Sequence, residues 1–286
     1  MKANFFLNVK QALGKPYYEN KYGLLFNMDC LKGLEQLNKN DLLVQSTITS
    51  PPYNIGKEYE SVQDNEKYLT WLTDVMAGVY SATESSGSLL LNLGYFSVPQ
   101  LGRAVPISYL FWNRVKFFLQ QEIVWNYGAG VACKKYLSPR NEKILWYVKN
   151  PASYTFNLDD IRDPNVKYPN QKKNGKLRCN TLGKNPSDVW EIAKVTSGAS
   201  RSSKERTAHP AQFPEDLINR LVKGFSNRGD VILEPFSGSG TVPVVAQMNG
   251  RYFIAFELDE KYCELAAKRI QNTLDDIEMD LFGGSF

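Results

Sequence analysis

The 286-residue sequence has few of the features that mark secreted, membrane or metal-binding proteins. Its four cysteines lie far apart and form no CxxC pair, which predicts neither a zinc site nor a disulfide framework. They are Cys30, Cys133, Cys179 and Cys263. No apolar run approaches the length of a membrane span, and the first residues contain too short an apolar stretch for a signal peptide. We therefore expect a cytoplasmic protein with reduced cysteines, no membrane partner and no metal.

Histidine and nucleotide-binding motifs are also scarce. The only histidine, His209, stands before a proline, where a structural role is more common than proton transfer. No GxxxxGKS/T motif is present, so a nucleoside triphosphate is not the expected ligand. The net charge of +4 is compatible with a nucleic-acid partner but does not by itself indicate one.

Strand and helix patterns alternate along most of the chain, which predicts an α/β fold with helices on both faces of a parallel sheet. The predicted strands cover residues 24–28, 42–48, 87–93, 122–125, 144–148, 230–236 and 252–256. The predicted helices cover residues 31–37, 65–80, 105–117, 213–225, 241–248 and 260–274. The strands at 122–125 and 144–148 are close enough in sequence to form an antiparallel pair at the sheet edge.

The segment 150–208 has a different composition and no clear period. Leu, Ile and Val become rare, while Lys, Arg, Asn, Pro and Ser become frequent among a few aromatic residues. One interpretation is a solvated lobe, and the other is a nucleic-acid surface, where cations hold phosphates and rings meet bases. On the second interpretation Arg201, Lys204 and Arg206 contact phosphates, and the alternative for them is a solvated loop.

A short stiff motif follows the predicted strand 42–48. Thr49 is followed there by Ser50, Pro51, Pro52 and Tyr53. Each proline lacks an N–H and holds its φ angle at about −65°, so the turn has little freedom. It presents carbonyl oxygens, one hydroxyl and a flat ring, which suit a planar ligand that carries an amino group.

A glycine turn follows the predicted strand 230–236. The run Phe236-Ser237-Gly238-Ser239-Gly240-Thr241 leads into a helix whose first N–H groups can hold a negative group. The next strand ends at Glu257, about twenty residues later, where a carboxylate can accept hydrogen bonds from two ribose hydroxyls. The glycine turn and Glu257 together predict a nucleoside-cofactor site. A dinucleotide-dependent oxidoreductase is one class of enzyme that would have such a site.

Asp29 is a third acidic residue at the end of a predicted strand. It follows the strand 24–28 and precedes a predicted helix, where Asp is a good N-cap. The alternative is a contact with an adenine, because a carboxylate accepts from an amino group.

These motifs together resemble the signatures of exocyclic-amino DNA methyltransferases. The matching stretches are Asn27-Met28-Asp29-Cys30, Ser50-Pro51-Pro52-Tyr53, Arg140-Asn141-Glu142-Lys143-Ile144-Leu145-Trp146, His209-Pro210-Ala211-Gln212-Phe213-Pro214 and Glu234-Pro235-Phe236-Ser237-Gly238-Ser239-Gly240-Thr241. The catalytic motif comes first and the cofactor turn last, which is the order of the β class, a circular permutation of the usual methyltransferase sheet. The family usually has Asp where Glu234 stands and Lys where Phe213 stands.

The resemblance implies a circularly permuted, Rossmann-like α/β fold that binds S-adenosylmethionine. The implied cofactor-binding residues are Asp29, Glu234, Phe236, Ser237, Gly238, Gly240, Thr241 and Glu257. Among them, the glycine turn holds the methionine part, Glu257 the ribose and Asp29 the adenine edge. A three-part structure with a tail is implied as well: a catalytic half at 22–149, a target-recognition region at 150–208, a cofactor half at 209–274 and the tail at 275–286.

The resemblance also assigns the catalytic residues, which are Ser50, Pro51, Pro52 and Tyr53. The Ser50 hydroxyl and the Pro51 carbonyl accept from the amine of a base that is flipped out of the duplex, and Tyr53 stacks on that base. Within the family a serine at the Ser50 position is associated with N4 of cytosine, and an aspartate or asparagine with N6 of adenine. We therefore expect N4-cytosine methylation, with N6-adenine methylation as the nearest alternative.

The expected partner is double-stranded DNA. A cognate restriction endonuclease, as in restriction-modification systems, and a second copy of the chain are further candidates. Residues 277–282 form an apolar patch that resembles the short peptides that dock on sliding clamps, and the alternative for them is packing onto the parent domain. A DNA-binding module without catalysis is the remaining alternative for the whole chain.

Overall fold

The chain is built around one large mixed sheet, and the computed structural model describes residues 2–56, 62–128, 130, 132–195 and 204–283. The strands are β1 (Tyr18–Asn20), β2 (Gly23–Asn27), β3 (Val44–Thr49), β4 (Thr83–Leu93), β5 (Tyr95–Val98), β6 (Gly102–Pro106), β7 (Phe118–Asn126), β8 (Asn141–Val148), β9 (Lys172–Lys173), β10 (Lys176–Leu177), β11 (Val189–Glu191), β12 (Val231–Glu234) and β13 (Tyr252–Glu257). The helices are α1 (Lys2–Leu13), α2 (Cys30–Lys39), α3 (Asn65–Ala82), α4 (Ile107–Phe111), α5 (Glu215–Phe225), α6 (Thr241–Met248) and α7 (Glu260–Gly283).

The strand order of the sheet is β1-β2-β13-β12-β3-β4-β8-β7-β11. Strands β2, β13, β12, β3 and β4 are mutually parallel, and β8 is antiparallel to both β4 and β7. The late strands β12 and β13 thus lie between the early strands β2 and β3, as the permuted order predicts. Since parallel strands share one carboxyl edge, the turns after β2, β3, β12 and β13 come together.

Helices cover both faces of the sheet, which confirms the predicted α/β architecture. Side chains alternate along β13: Phe253 and Ala255 belong to one apolar core, and Ile254 and Phe256 to the other. The core on the Phe256 side includes buried residues of α2 and α3, and the opposite core includes those of α5, α6 and α7. Burial on both faces explains why the strands read as nearly continuous apolar runs.

Three predicted elements differ in the structure. The helix expected at 105–117 is only the short α4, which begins at Ile107 because Pro106 ends strand β6, and which ends already at Phe111. The antiparallel pair of β7 and β8 is confirmed, but it is not the edge, since β11 pairs in parallel with β7. Helix α7 continues to Gly283, so the expected tail at 275–286 starts as helix.

The segment 150–208 is largely irregular where it is described, as its composition predicts. Its regular parts are a 3-10 turn at Leu158–Ile161, the short strands β9 and β10, and β11. Strand β11 is the last strand of the main sheet and its Trp190 is buried in an apolar core, so this part of the segment belongs to the main fold rather than to a separate lobe. Within the described residues, no helix has both the length and the apolar character needed to cross a bilayer.

Candidate active site

The carboxyl ends of β2, β13, β12 and β3 surround one cavity of about 920 Å³. Its wall contains residues from each of the five stretches that carry the resemblance to the methyltransferases. The predicted residues that line it are Asp29, Ser50, Pro51, Pro52, Tyr53, Glu234, Phe236, Ser237, Gly238, Thr241 and Glu257. Motifs at opposite ends of the chain therefore share one space, as expected when parallel strands end at one edge.

The Ser50 hydroxyl lines this cavity directly after the end of β3. Its Oγ is 2.7 Å from the Tyr53 hydroxyl, which also lies 3.0 Å from Oε2 of Glu142. The Tyr53 ring packs against Gly94, where an added Cβ would come within 2.6 Å of the ring. Burial, followed by the Glu142 charge, raises the pKa of Tyr53 well above its usual range, so the phenol keeps its proton.

Glu142 joins this motif to two residues from distant parts of the chain. Its Oε2 accepts a hydrogen bond of 2.8 Å from Nδ2 of Asn92, and its Oε1 accepts one of 2.8 Å from Nζ of Lys194. The Lys194 ammonium lies 3.6 Å from the centroid of the Tyr127 ring, within cation–π distance. Neither Glu142, Asn92 nor Lys194 was among the predicted site residues.

Two signals in the sequence could have revealed part of this group. Asn92 interrupts the apolar run of β4, and a polar side chain in a buried strand needs a partner. Glu142 lies in the stretch that resembles the family, two residues before the apolar part of β8. Lys194 carries no such signal, because only the course of the chain after β11 brings it to the cavity.

The glycine turn has the backbone conformation that its glycines predict. Gly238 and Gly240 have φ angles of 51° and 75°, in the left-handed region that favours glycine. The Gly238 N–H donates to Oε2 of Glu257 at 2.7 Å, and the Asp259 N–H donates to Oε1 at 2.9 Å. Glu257 is thus fixed beside the turn, and burial raises its pKa although these N–H groups oppose the shift.

Glu234 is buried, with 2% of its surface exposed, and it bridges two strands. Its Oε1 accepts from the Thr49 hydroxyl and, at 3.1 Å, from the Phe236 N–H. Burial raises the pKa of Glu234 well above its usual range. The longer side chain, where the family usually has Asp, is accommodated by this contact with Thr49.

Asp29 caps helix α2, as its sequence position predicts. Its Oδ1 accepts from the N–H groups of Leu31 and Lys32 at 3.0 and 3.2 Å. Its Oδ2 makes no hydrogen bond within the described part of the chain, and the residue lines the cavity. The N-cap role is therefore confirmed, and one carboxylate oxygen remains for a ligand.

Thr241 and Gly240 stabilise the turn from behind. The Thr241 hydroxyl accepts from Nη1 of Arg269 at 2.9 Å, and the same guanidinium pairs with Glu215 at 2.7 Å. A Cβ added at Gly240 would come within 2.8 Å of the Ala266 Cβ, so α7 packs closely on the turn. Both residues thus shape the turn through α7 and α5.

His209 covers the glycine turn from the side of the cavity. Its Nδ1 accepts from the Ala211 N–H at 3.2 Å, and its ring meets the Tyr262 ring edge to face at 4.5 Å. Burial, aided by the positive charge of Arg269, lowers the pKa of His209 to about 4. The imidazole is therefore neutral near pH 7, and its contacts favour a positioning role.

The predicted phosphate contacts lie outside the cavity wall. Lys204 and Arg206 are exposed on the segment that leads to His209. Arg201 lies outside the described residues.

The cavity fits S-adenosylmethionine by its chemistry. The cofactor has two ribose hydroxyls, an adenine amino group, an ammonium and a sulfonium, so most of its polar groups need acceptors or negative charge. Carboxyl groups of Asp29, Glu234 and Glu257 line the cavity. The Ser237 hydroxyl is buried beside it and has no hydrogen-bond partner in the described chain, which leaves one polar group for a ligand to satisfy.

The chain is similar to known DNA methyltransferases in sequence and in fold. A family model described as DNA methylase matches residues 44–268. The type II methyltransferase M.ScaI of Streptomyces caespitosus is 54% identical over 264 residues, which cover 92% of this chain and 86% of that protein. The DNA adenine methyltransferase YhdJ of Escherichia coli (strain K12) is 29% identical over 262 residues, which cover 88% of this chain and 84% of that protein.

The fold also matches a solved structure, that of the PvuII DNA methyltransferase, which is named cytosine-N4-specific. The TM-score is 0.71 and the sequence identity 19%, over 94% of this chain and 96% of that chain. One of these proteins is named for adenine and another for cytosine, so the similarities leave the target base open.

Proposed function

The chain belongs to the DNA methylase family, and we propose that it is a sequence-specific type II enzyme that methylates the exocyclic N4 amine of cytosine in double-stranded DNA. One observation carries the proposal: the Ser50 hydroxyl and the glycine turn line the same cavity. A methyl donor at the turn would therefore face the group that binds the amine. Family membership argues against the dinucleotide-dependent oxidoreductase that the glycine turn alone also fits.

The methyl donor is S-adenosylmethionine, which supplies an electrophilic methyl group when it is bound. We propose that the turn from Phe236 to Gly240 holds its methionine part and that Glu257 accepts from the ribose hydroxyls. Asp29 would accept from the adenine amine through Oδ2, while Oδ1 keeps the helix cap. Glu234 would lie near the methionine ammonium. Thr241 would contribute indirectly, because its hydrogen bond with Arg269 helps to fix the shape of the turn.

The amine of a base is a poor nucleophile, because its lone pair is delocalised into the ring. Acceptors that hold both N–H bonds push the nitrogen towards a tetrahedral shape and restore that lone pair. The Ser50 oxygen and the Pro51 carbonyl are the acceptors in this proposal, and no hydrogen bond within the described residues occupies the Pro51 carbonyl. Their hydrogen bonds strengthen as the nitrogen becomes positive, which stabilises the transition state selectively.

Tyr53 is proposed to stack on the flipped base. Its hydroxyl is bonded to Ser50 and Glu142, and its ring packs on Gly94, so the ring plane is fixed before the base arrives. A fixed ring orients the amine at little entropic cost. Pro52 contributes the stiffness of the turn between the two functional side chains.

Serine at the Ser50 position favours cytosine over adenine, by the family pattern. A neutral hydroxyl is a weaker acceptor than a carboxylate, which gives part of the physical reason. N6-adenine methylation is the alternative, and the similarity to an enzyme named for adenine keeps it as the rival to be tested.

Target recognition is proposed for the segment 150–208, between the catalytic half at 22–149 and the cofactor half at 209–274. Lys204 and Arg206, together with Arg201, would contact phosphates there. A restriction endonuclease of the same specificity and a second copy of the chain are proposed partners. Docking of residues 277–282 on a sliding clamp is a secondary proposal; these residues belong to α7 in the structure.

Sequencing of methylated DNA tests base and site together. The protein is expressed in bacteria without their own DNA methyltransferases, and modified bases are mapped by single-molecule sequencing. We expect N4-methylcytosine at one short recognition sequence, and a much smaller methylated fraction of those sites in cells that express Ser50→Ala. N6-methyladenine at a fixed sequence would overturn the choice of base, and an unmodified genome would overturn the proposed activity.

A further inference from the structure

The hydroxyl of Tyr53 has three polar neighbours, and together they determine where its proton lies. Ser50 Oγ is at 2.7 Å, Oε2 of Glu142 is at 3.0 Å, and Nδ2 of Asn92 donates to the same oxygen. A phenol has one proton to donate and can accept two hydrogen bonds. With three neighbours, the direction of the Tyr53 proton therefore follows from which neighbours can donate and which can accept.

Of the three neighbours, one can only donate a hydrogen bond and one can only accept. The Asn92 amide nitrogen can only donate, and the Glu142 carboxylate can only accept. The single proton of Tyr53 must therefore point to Glu142, since two oxygens would otherwise face each other without a proton. In the remaining hydrogen bond, the Ser50 hydroxyl must therefore donate to the Tyr53 oxygen.

The Asn92 side chain supports the same assignment. Its amide group donates to Tyr53 and, at 2.8 Å, to Oε2 of Glu142, so both of its N–H bonds are used. Exchanging its oxygen and nitrogen would place the amide oxygen against the Glu142 carboxylate, which is unfavourable.

This arrangement determines what Ser50 offers to the cavity. With its proton directed to Tyr53, its oxygen lone pairs remain for a donor in the cavity. The donor in the proposed reaction is the amine of the base. A hydroxyl that was free to rotate would present its proton to that amine part of the time, and two donors would then face each other.

Glu142 is itself held in place from the other side. Lys194 donates to its Oε1 at 2.8 Å, and the side chains of this ion pair are only 22% and 12% exposed, respectively. Asn92 on β4 and Glu142 on β8 belong to neighbouring antiparallel strands, so the acceptor position is determined by the sheet. Fixed partners in a partly desolvated site make a charge-assisted hydrogen bond stronger than it is in water.

We infer that Glu142 is a positioning residue for methyl transfer, which acts through the Tyr53 hydroxyl to keep the Ser50 oxygen as an acceptor for the amine. The inference rests on the proposed function. Glu142 does not touch the base in this account, and its effect must pass through Tyr53.

A double-mutant cycle tests this inference. Methyl incorporation from labelled S-adenosylmethionine into unmethylated bacterial genomic DNA is measured for the unaltered protein, Glu142→Gln, Tyr53→Phe and the double variant. An amide at position 142 has no charge and only one accepting oxygen, so the hydrogen bond that directs the Tyr53 proton is either weakened or lost. We expect Glu142→Gln to slow transfer roughly 10- to 100-fold, the size of one charge-assisted hydrogen bond.

The same substitution should slow the Tyr53→Phe variant less than about 3-fold, because the link has already been removed there. Glu122→Gln is the matched control, since Glu122 on the neighbouring strand β7 also faces a lysine, Lys143, but lies outside the cavity wall. It should leave the rate unchanged. Melting temperatures and S-adenosylmethionine affinity verify the fold of each variant, and if Glu142→Gln does not fold, Glu142→Asp is taken through the same cycle.

The outcomes separate the two proposals. Two results would overturn the role of Glu142 while leaving the methyltransferase proposal intact. One is that Glu142→Gln slows transfer equally with Tyr53 and with Phe at position 53, and the other is that Glu142→Gln alone does not slow transfer. Absence of methyl transfer by the unaltered protein would overturn the proposed function, and the role of Glu142 with it.

Discussion

The Thr49 hydroxyl donates a hydrogen bond to the Glu234 carboxyl across the boundary between β3 and β12. Thr49 is the last residue of the strand before Ser50, and Glu234 is the last residue of the strand before the glycine turn. Both side chains are buried. The bond therefore ties the turn that begins at Ser50 to the glycine turn at the point where the two strands end.

The pKa of Glu234 predicts how this contact responds to pH. Burial disfavours the ionised carboxyl in the folded chain and raises its pKa well above its usual range, whereas in the unfolded chain the group loses its proton above about pH 4.3. The free energy of unfolding should therefore fall as the pH rises from about 4.3 towards the pKa of Glu234 in the folded chain. This group contributes at most about 1.4 kcal/mol per pH unit to that fall.

Glu234→Gln removes that titration and keeps the contacts, because the single oxygen that accepts from Thr49 and Phe236 can be an amide oxygen. We expect the free energy of unfolding of Glu234→Gln, relative to the unaltered cofactor-free protein, to rise between pH 5 and pH 8. Urea melts across this range measure it, with the exposed Glu264→Gln as control. A pH-independent difference would show that folding does not raise the pKa of Glu234.

Ser50→Ala should reduce methyl transfer and spare cofactor binding. Loss of one acceptor of the amine is expected to slow transfer by roughly 10²- to 10³-fold, as for other preorganised transition-state contacts. Single-turnover rates and calorimetric titration with S-adenosylmethionine separate the two effects. The exposed Ser81→Ala on α3 is the matched control and should behave like the unaltered protein. An unchanged rate in Ser50→Ala would remove this residue from the mechanism.

Glu257→Gln, in contrast to Ser50→Ala, should weaken cofactor binding more than it slows methyl transfer. An amide accepts fewer hydrogen bonds than the carboxylate that now holds Gly238 and Asp259, so less acceptor capacity remains for a ribose. We expect the dissociation constant for S-adenosylmethionine to rise roughly 10- to 100-fold, with a smaller effect on the rate at saturation. Glu264→Gln again serves as control. Unaltered affinity would refute the ribose role.

Gly240→Ala should destabilise the fold more than an equivalent change at Gly229. Both glycines have positive φ, at 75° and 84°, so both substitutions incur the left-handed backbone cost of about 1–2 kcal/mol. Only at Gly240 does the new Cβ meet another atom, the Ala266 Cβ at 2.8 Å, while nothing lies within 4 Å at Gly229. Crowding there should add about 1–3 kcal/mol. Equal losses in urea melts would show that α7 can move away from the turn.

The sequence was sufficient to predict where the two main turns lie and that they meet. Ser50 and Gly238 follow apolar strands, and strands of a parallel sheet end at a common edge, so the cavity follows from pattern and topology. The N-cap of α2 at Asp29 was predictable as well, because it depends only on neighbouring residues.

The residues that the sequence did not reveal depend on long-range packing. Glu142 reaches Tyr53 because β8 lies antiparallel beside β4, and Lys194 because the chain returns along β7 as β11. Neither the register of these strands nor the position of Lys194 has a local signal. The helix predicted at 105–117 is wrong at both ends: Pro106 belongs to β6, so the helix begins at Ile107, and it ends at Phe111.

Nucleoside analysis of methylated DNA tests the central claim most directly. Unmethylated duplex DNA is incubated with the protein and with S-adenosylmethionine that carries a deuterated methyl group, then digested and analysed by mass spectrometry. We expect deuterated N4-methylcytosine from the unaltered protein and little from Ser50→Ala. Deuterated N6-methyladenine alone, or no labelled nucleoside, would contradict the claim that the Ser50 pocket presents a cytosine amine to the methyl donor.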